Sequence, residues 1–138
     1  MAEGISVYCR ASTWDELSAW LDLHAKRSGS GTWCYPDVDY LLLVYEAGHD
    51  LAAYDQKEKD KLIRTLGGPP TAGIILELRR TRQNQACDAA TQLTLSLMQR
   101  FEAVADDEWD RYWSRHDILE SLTSNAATFL ACYRDGHT

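Results

Sequence analysis

Apolar and polar side chains alternate from Ile5 to Arg10, with Ile5, Val7 and Cys9 against Ser6, Tyr8 and Arg10. This is the period of a strand with one buried face. The period then lengthens. Trp14, Leu17, Trp20, Leu21 and His24 recur at helical spacing behind Thr13 and Glu16, which form a capping-box pair. They predict a first helix over 14–27, ended by Ser28-Gly29-Ser30-Gly31, the run with the most backbone freedom. Tyr40 to Tyr45 is apolar on both sides and predicts a central, covered strand. Ala47-Gly48-His49-Asp50 reads as a turn, from which 51–54 returns as a short edge strand if the hairpin forms.

Asp55 and Glu58 suggest another cap, and Leu62, Ile63 and Leu66 mark a helix that must stop at Gly67-Gly68-Pro69-Pro70. Ile74, Leu76 and Leu78 define a strand between Gly73 and Arg80. Asn84 is the expected cap of a long helix with Cys87, Ala90, Leu93, Thr94, Leu97, Met98 and Phe101 along one stripe. Ser114 and Asp117 cap a terminal helix with Ile118, Leu122, Phe129 and Tyr133 on one face. The expected class is α+β: a small antiparallel or mixed sheet of three to four strands packed with helices, plus long C-terminal helices. With the hairpin included, the first six elements match a ferredoxin-like β-α-β-β-α-β arrangement. Leu43, Leu76, Leu93 and Leu97 are its expected core.

A chain of 138 residues with 45% hydrophobic and 25% charged residues fits one globular domain, 1–138. The longest apolar run is far below the roughly 20 residues of a membrane span, and Met1-Ala2-Glu3-Gly4 carries no secretory pattern. A cytoplasmic address is expected. Cys9, Cys34, Cys87 and Cys132 are widely separated and read as reduced, mostly buried thiols.

The net charge of −7 is the wrong sign for holding phosphates, so direct nucleic-acid binding is not expected. His24, His49, His116 and His137 lack the spacing of a zinc site. The adjacent His116 and Asp117 read as a helix start rather than as an acid/base pair. Neither Gly29-Ser30-Gly31 nor Gly67-Gly68 has the pattern of a phosphate loop. No cofactor, metal or catalytic set is called, and a non-enzymatic role is expected.

The stretch from Glu102 to Glu120 holds seven acidic and two basic residues, which is −5 of the net −7. Within it Asp106, Asp107, Glu108 and Asp110 stand beside Trp109, Tyr112 and Trp113. Carboxylates next to aromatic anchors are the materials of a protein-binding patch, although the acids equally suit a solvated loop. Trp33, Tyr35, Asp37 and Asp39 form a second candidate patch, with the core as the alternative place for its aromatics.

The run Gly67-Gly68-Pro69-Pro70, the strand Ile74 to Arg80, the amphipathic helix to Phe101, Val104-Ala105-Asp106-Asp107, Trp113-Ser114 and Asp117-Ile118 resemble the immunity proteins of bacterial polymorphic toxin systems. The resemblance covers roughly residues 40 to 120. It implies a cytoplasmic partner that binds a cognate toxin domain stoichiometrically, without turnover, and it places no particular residue at the interface. A small enzyme with a pocket between sheet and terminal helices, and an adaptor domain, are the alternatives; a homodimer stays open.

Overall fold

Seven strands, rather than three or four, build the sheet of the computed structural model, which describes residues 4–36, 40–48, 51, 54–108, 111–123 and 128–133. They are β1 (Gly4–Arg10), β2 (Lys26–Gly29), β3 (Thr32–Tyr35), β4 (Leu42–Glu46), β5 (Ala72–Leu78), β6 (Glu102–Asp106) and β7 (Tyr112–Trp113). Their order across the sheet is β2-β3-β4-β5-β1-β6-β7, and every neighbouring pair is antiparallel. The α+β class therefore stands while the strand number does not.

The additional strands lack an apolar signature of their own. In β2 all four residues are exposed, so no buried face exists to create a period. It pairs with β3 around Ser30-Gly31, where Gly31 takes the left-handed conformation at φ 74°. In β6 and β7 the pairing hides inside the acidic stretch read as a loop.

Four helices are described: α1 (Trp14–His24), α2 (Gln56–Leu66), α3 (Gln83–Arg100) and α4 (Arg115–Thr123). The first stops three residues earlier than expected, because the chain turns extended at Ala25 and enters β2. A 3-10 turn at Arg80–Arg82 leads directly into α3, so Asn84 lies inside that helix and does not cap it. The expected long C-terminal helices reduce to the nine residues of α4 and a 3-10 turn at Ala131–Tyr133. Phe129 and Tyr133 reach the core from that later segment, whereas Leu122 is 46% exposed.

Nor is the arrangement ferredoxin-like. Leu51 and Tyr54 are not in a strand, and Tyr54 N–H donates to Leu51 O across a turn; 52–53 lie outside the described residues. The helices also occupy both faces. On one, α1, α3 and α4 cover Ile5, Val7, Val44, Ile74, Leu76 and Trp33 in the main core. On the other, α2 closes a smaller cluster of Tyr8, Ala47, Leu51, Leu62, Leu66 and Val104. Leu76, Leu93 and Leu97 are buried as expected. Leu43 is only half-buried, since it points away from Leu42 and Val44, opposite Glu77.

Local signals in the sequence are obeyed at the helix ends. Thr13 and Glu16 complete their capping box, Asp55 accepts from Glu58 N–H at 2.8 Å, and Ser114 and Asp117 exchange two bonds of 3.1 Å. Gly67 ends α2 at φ 88°, a conformation that glycine adopts without a Cβ penalty. Arg10 Nε–H donates to Leu66 O at 2.9 Å, and its guanidinium pairs with Glu102 at 3.0 Å, so a cation stands at the negative end of α2.

Candidate functional site

The register of β1, β6 and β7 sets Ser6, Asp106 and Tyr112 in one row on the face under α2. One position along, Tyr8 stands opposite Gly73, where a Cβ would come within 2.9 Å of the Tyr8 ring. Glycine thus makes room for that ring over β5. The Tyr8 hydroxyl lies 3.2 Å from that of Tyr54, with the two rings edge-on at 6.1 Å.

Tyr54 O–H donates to Asp106 Oδ2, and Glu108 N–H donates to Asp106 Oδ1 at 2.9 Å. Ser6 O–H in turn donates to Glu108 Oε1 at 2.9 Å. Both connections entering this cluster carry a left-handed residue, Leu51 at φ 58° and Glu108 at φ 68°. Such conformations are uncommon outside glycine and persist where the surroundings fix them.

Burial pushes the Asp106 carboxyl above the ordinary carboxylate range, and the nearby charge of Asp107 adds to the rise; bonds from Tyr54 and Glu108 N–H oppose it. Partial burial also raises Glu108, with Asp106 as the largest like-charge contribution and Glu58 among the smaller ones. The Tyr54 hydroxyl is driven up by burial and by holding its proton toward Asp106. Burial and surrounding carboxylates do the same to Tyr112. Within this cluster Glu108 is exposed while Asp106 is 8% exposed.

The sequence-derived patch is divided by this geometry. Asp107 is buried and organises the β6–β7 turn: its Oδ2 accepts from Trp113 Nε1–H at 2.9 Å, and its carbonyl accepts from Tyr133 O–H. Trp113 is buried between the Arg111 guanidinium, 3.8 Å from its ring centre, and the edge-on Phe129 ring. Asp106, Asp107 and Trp113 are therefore interior groups rather than exposed anchors, because β6 and β7 turn them into the sheet and its core. Trp109 and Asp110 lie outside the described residues.

The second patch is likewise corrected. Trp33 is fully buried, edge-on to Trp14, and its Nε1–H donates to Asp22 at 2.9 Å. Arg27 joins the same carboxylate, and together the two donors hold Asp22 below its ordinary pKa, Arg27 contributing most. Tyr35 is half-buried against the main core; Asp37 and Asp39 lie outside the described residues. The aromatics of that segment fold inward because β3 is a sheet strand.

Sequence reasoning missed Ser6, Tyr8 and Tyr54. Ser6 and Tyr8 occupy the polar half of the β1 alternation, yet both are buried. The signal that a second layer covers that face was the apolar side of α2, which needs a surface to pack against. Elsewhere, a shallow depression lined by Tyr40, Leu41, Leu43, Glu77, Leu78 and Arg79 lies at the far end of β4 and β5. Among the described residues, no group of three or more His, Cys, Asp and Glu side chains converges to hold a metal ion, and no helix is long and apolar enough to cross a membrane. Cys9 and Cys87 are buried, Cys34 is half-buried, and burial raises the Cys9 thiol to about 12. The Cys132 side chain lies outside the described residues. No protein-family model, curated protein or solved structure matches the chain.

Proposed function

We propose that this protein is a stoichiometric, non-enzymatic binding domain whose partner presents a basic surface. The observation that carries this reading is Glu108, an exposed carboxylate held at φ 68° two residues after the buried carboxylate of Asp106. Glu108, whose proton affinity is raised by burial and by the neighbouring charge of Asp106, is stabilised when a partner's Lys or Arg approaches. Ser6 O–H holds the Glu108 carboxylate and Tyr54 O–H that of Asp106, so little ordering is required on association. The net charge of −7 extends the attraction beyond the contact itself.

With the resemblance described above, the partner is the toxin domain of a bacterial polymorphic toxin system, neutralised in the cytoplasm. An acidic patch suits a toxin whose own substrate groove is basic. Affinity purification of the chain with the protein encoded beside it, followed by binding kinetics at two salt concentrations, tests this directly. Glu108→Gln is expected to slow association and flatten its salt dependence, with circular dichroism unchanged. Normal kinetics in that variant would move the interface away from the β6–β7 turn. Absence of complex formation with the neighbouring product would reject the toxin-neutralising role.

A further inference from the structure

On one face of the sheet α1, α3 and α4 close over the main core, whereas on the other α2 packs chiefly on β1, β6 and β7. Among the described residues no helix covers the rest of that second face. Alternation points Leu43 and Tyr45 of β4, Ile75 and Glu77 of β5 and Cys34 of β3 to that side, all half-buried. Leu42, Val44, Leu76 and Leu78 point the other way, into the core. The ladder continues past β5, since Arg79 N–H donates to Leu41 O at 2.9 Å with the backbone extended at φ −70° and ψ 121°. Arg79 therefore follows Glu77 onto the same side.

Glu77 and Arg79 are opposite charges two residues apart on this surface, yet they do not pair with each other, and the ion pairs among the described residues lie elsewhere. Glu77 accepts from Tyr45 O–H at 3.2 Å. Arg79 donates to Tyr40 O at 3.0 Å and holds its guanidinium 5.9 Å from the centre of the Tyr40 ring, a residue 43% exposed. Each charge thus rests on a neutral neighbour. We propose that this uncovered part of the sheet is an interface between two copies of the chain, in which Glu77 of each copy pairs with Arg79 of the other.

A surface that carries an acid and a base side by side complements itself when turned over. A two-fold axis lying along the face between positions 77 and 79 sets each Glu77 opposite the Arg79 of the other copy. Leu43, Tyr45 and Ile75 supply apolar area to bury, and the charge pairs fix the register. A uniformly basic partner would gain at Glu77 and lose at Arg79, whereas a second copy satisfies both. The net charge of −7 on each copy resists association at long range, but physiological salt screens it within about 8 Å. The resulting dimer is of modest affinity and does not depend on the toxin-neutralising role.

Sedimentation velocity of the full chain from about 1 μM to about 1 mM, the range of modest association, tests the interface. A shift from monomer to dimer is expected. Glu77→Arg and Arg79→Glu each set like charges opposite one another, and each is expected to weaken the dimer about tenfold or more. An equimolar mixture of the two variants restores both pairs and is expected to dimerise again, as a heterodimer. Circular dichroism checks that the variants stay folded; Arg79→Glu, at an exposed position, decides alone if Glu77→Arg does not fold. A monomer throughout the range, a dimer as tight in Arg79→Glu as in the unaltered chain, or folded variants whose mixture stays monomeric would each overturn the interface. The first of these results would assign the face to a partner of another kind.

Discussion

On the face covered by α1, α3 and α4, the strands present Ile5, Val7, Val44, Ile74, Leu76 and Trp33, none of them with any solvent exposure. Under α2 the same sheet presents Ser6, Tyr8, Asp106 and Tyr112. The first face is stabilised by burial, which is non-directional and scales with apolar area. On the second, Ser6, Tyr8 and Asp106 are buried too, but their polar groups stay there only because donors and acceptors meet. Loss of volume should therefore govern one face, and loss of a single proton or hydroxyl the other.

The hardest test of that contrast is Leu76→Ala or Leu97→Ala, each expected to lower unfolding free energy by about 2 to 5 kcal/mol in urea titrations. Leu43→Ala, on the opposite face and half-buried, should cost less than either. Equal losses at all three would erase the distinction between the faces. Next comes Tyr54→Phe, which removes a donor to a buried carboxylate and should cost about 1.5 to 3 kcal/mol at pH 8. Because that bond lowers the Asp106 pKa, its removal raises the pKa further, and the loss should shrink toward pH 5. A loss that grows on acidification would mean that the hydroxyl does not serve the charged form.

Trp113→Phe keeps most of the apolar volume but deprives Asp107 of its Nε1–H donor, an expected cost of about 1 to 3 kcal/mol by the same titration. An unchanged midpoint would show that the ring, not its N–H, carries the role of Trp113. The smallest effect is expected at Leu122→Ala, whose exposed side chain on α4 should change stability by less than about 0.5 kcal/mol. A larger loss would place Leu122 in a packed contact.

The first face was well announced by the chain. The alternation of Ile5, Val7 and Cys9 and the stripe through Leu93 and Leu97 reflect one-sided burial, which periodicity records. Caps at Thr13, Asp55 and Ser114 were legible because they depend on residues only three apart. The α2 face was less so. Asp106 and Trp113 look like surface groups in an acidic stretch, yet the pairing of β6 with the distant β1, and of β7 with β6, carries them inward. Tyr54 meets Asp106 through contacts separated by 52 positions, for which local pattern has no signature. Glu108 kept its expected exposure, although the left-handed backbone that presents it was not foreseen.

The edge strand β2 bears on behaviour in concentrated solution. Its four exposed residues include Lys26 and Arg27, and its pairing with β3 slips between Arg27 and Gly29. A short, charged, irregular edge is a poor template for adding a strand from another molecule, and such edges are a known defence against aggregation. Arg27 is already committed to Asp22 and lies over Trp33, which leaves Lys26 as the more dispensable guard. Replacing it with valine would leave the sheet's own hydrogen bonds in place while giving its border an apolar, strand-favouring residue, so the penalty would appear as association between molecules rather than as a lower melting temperature.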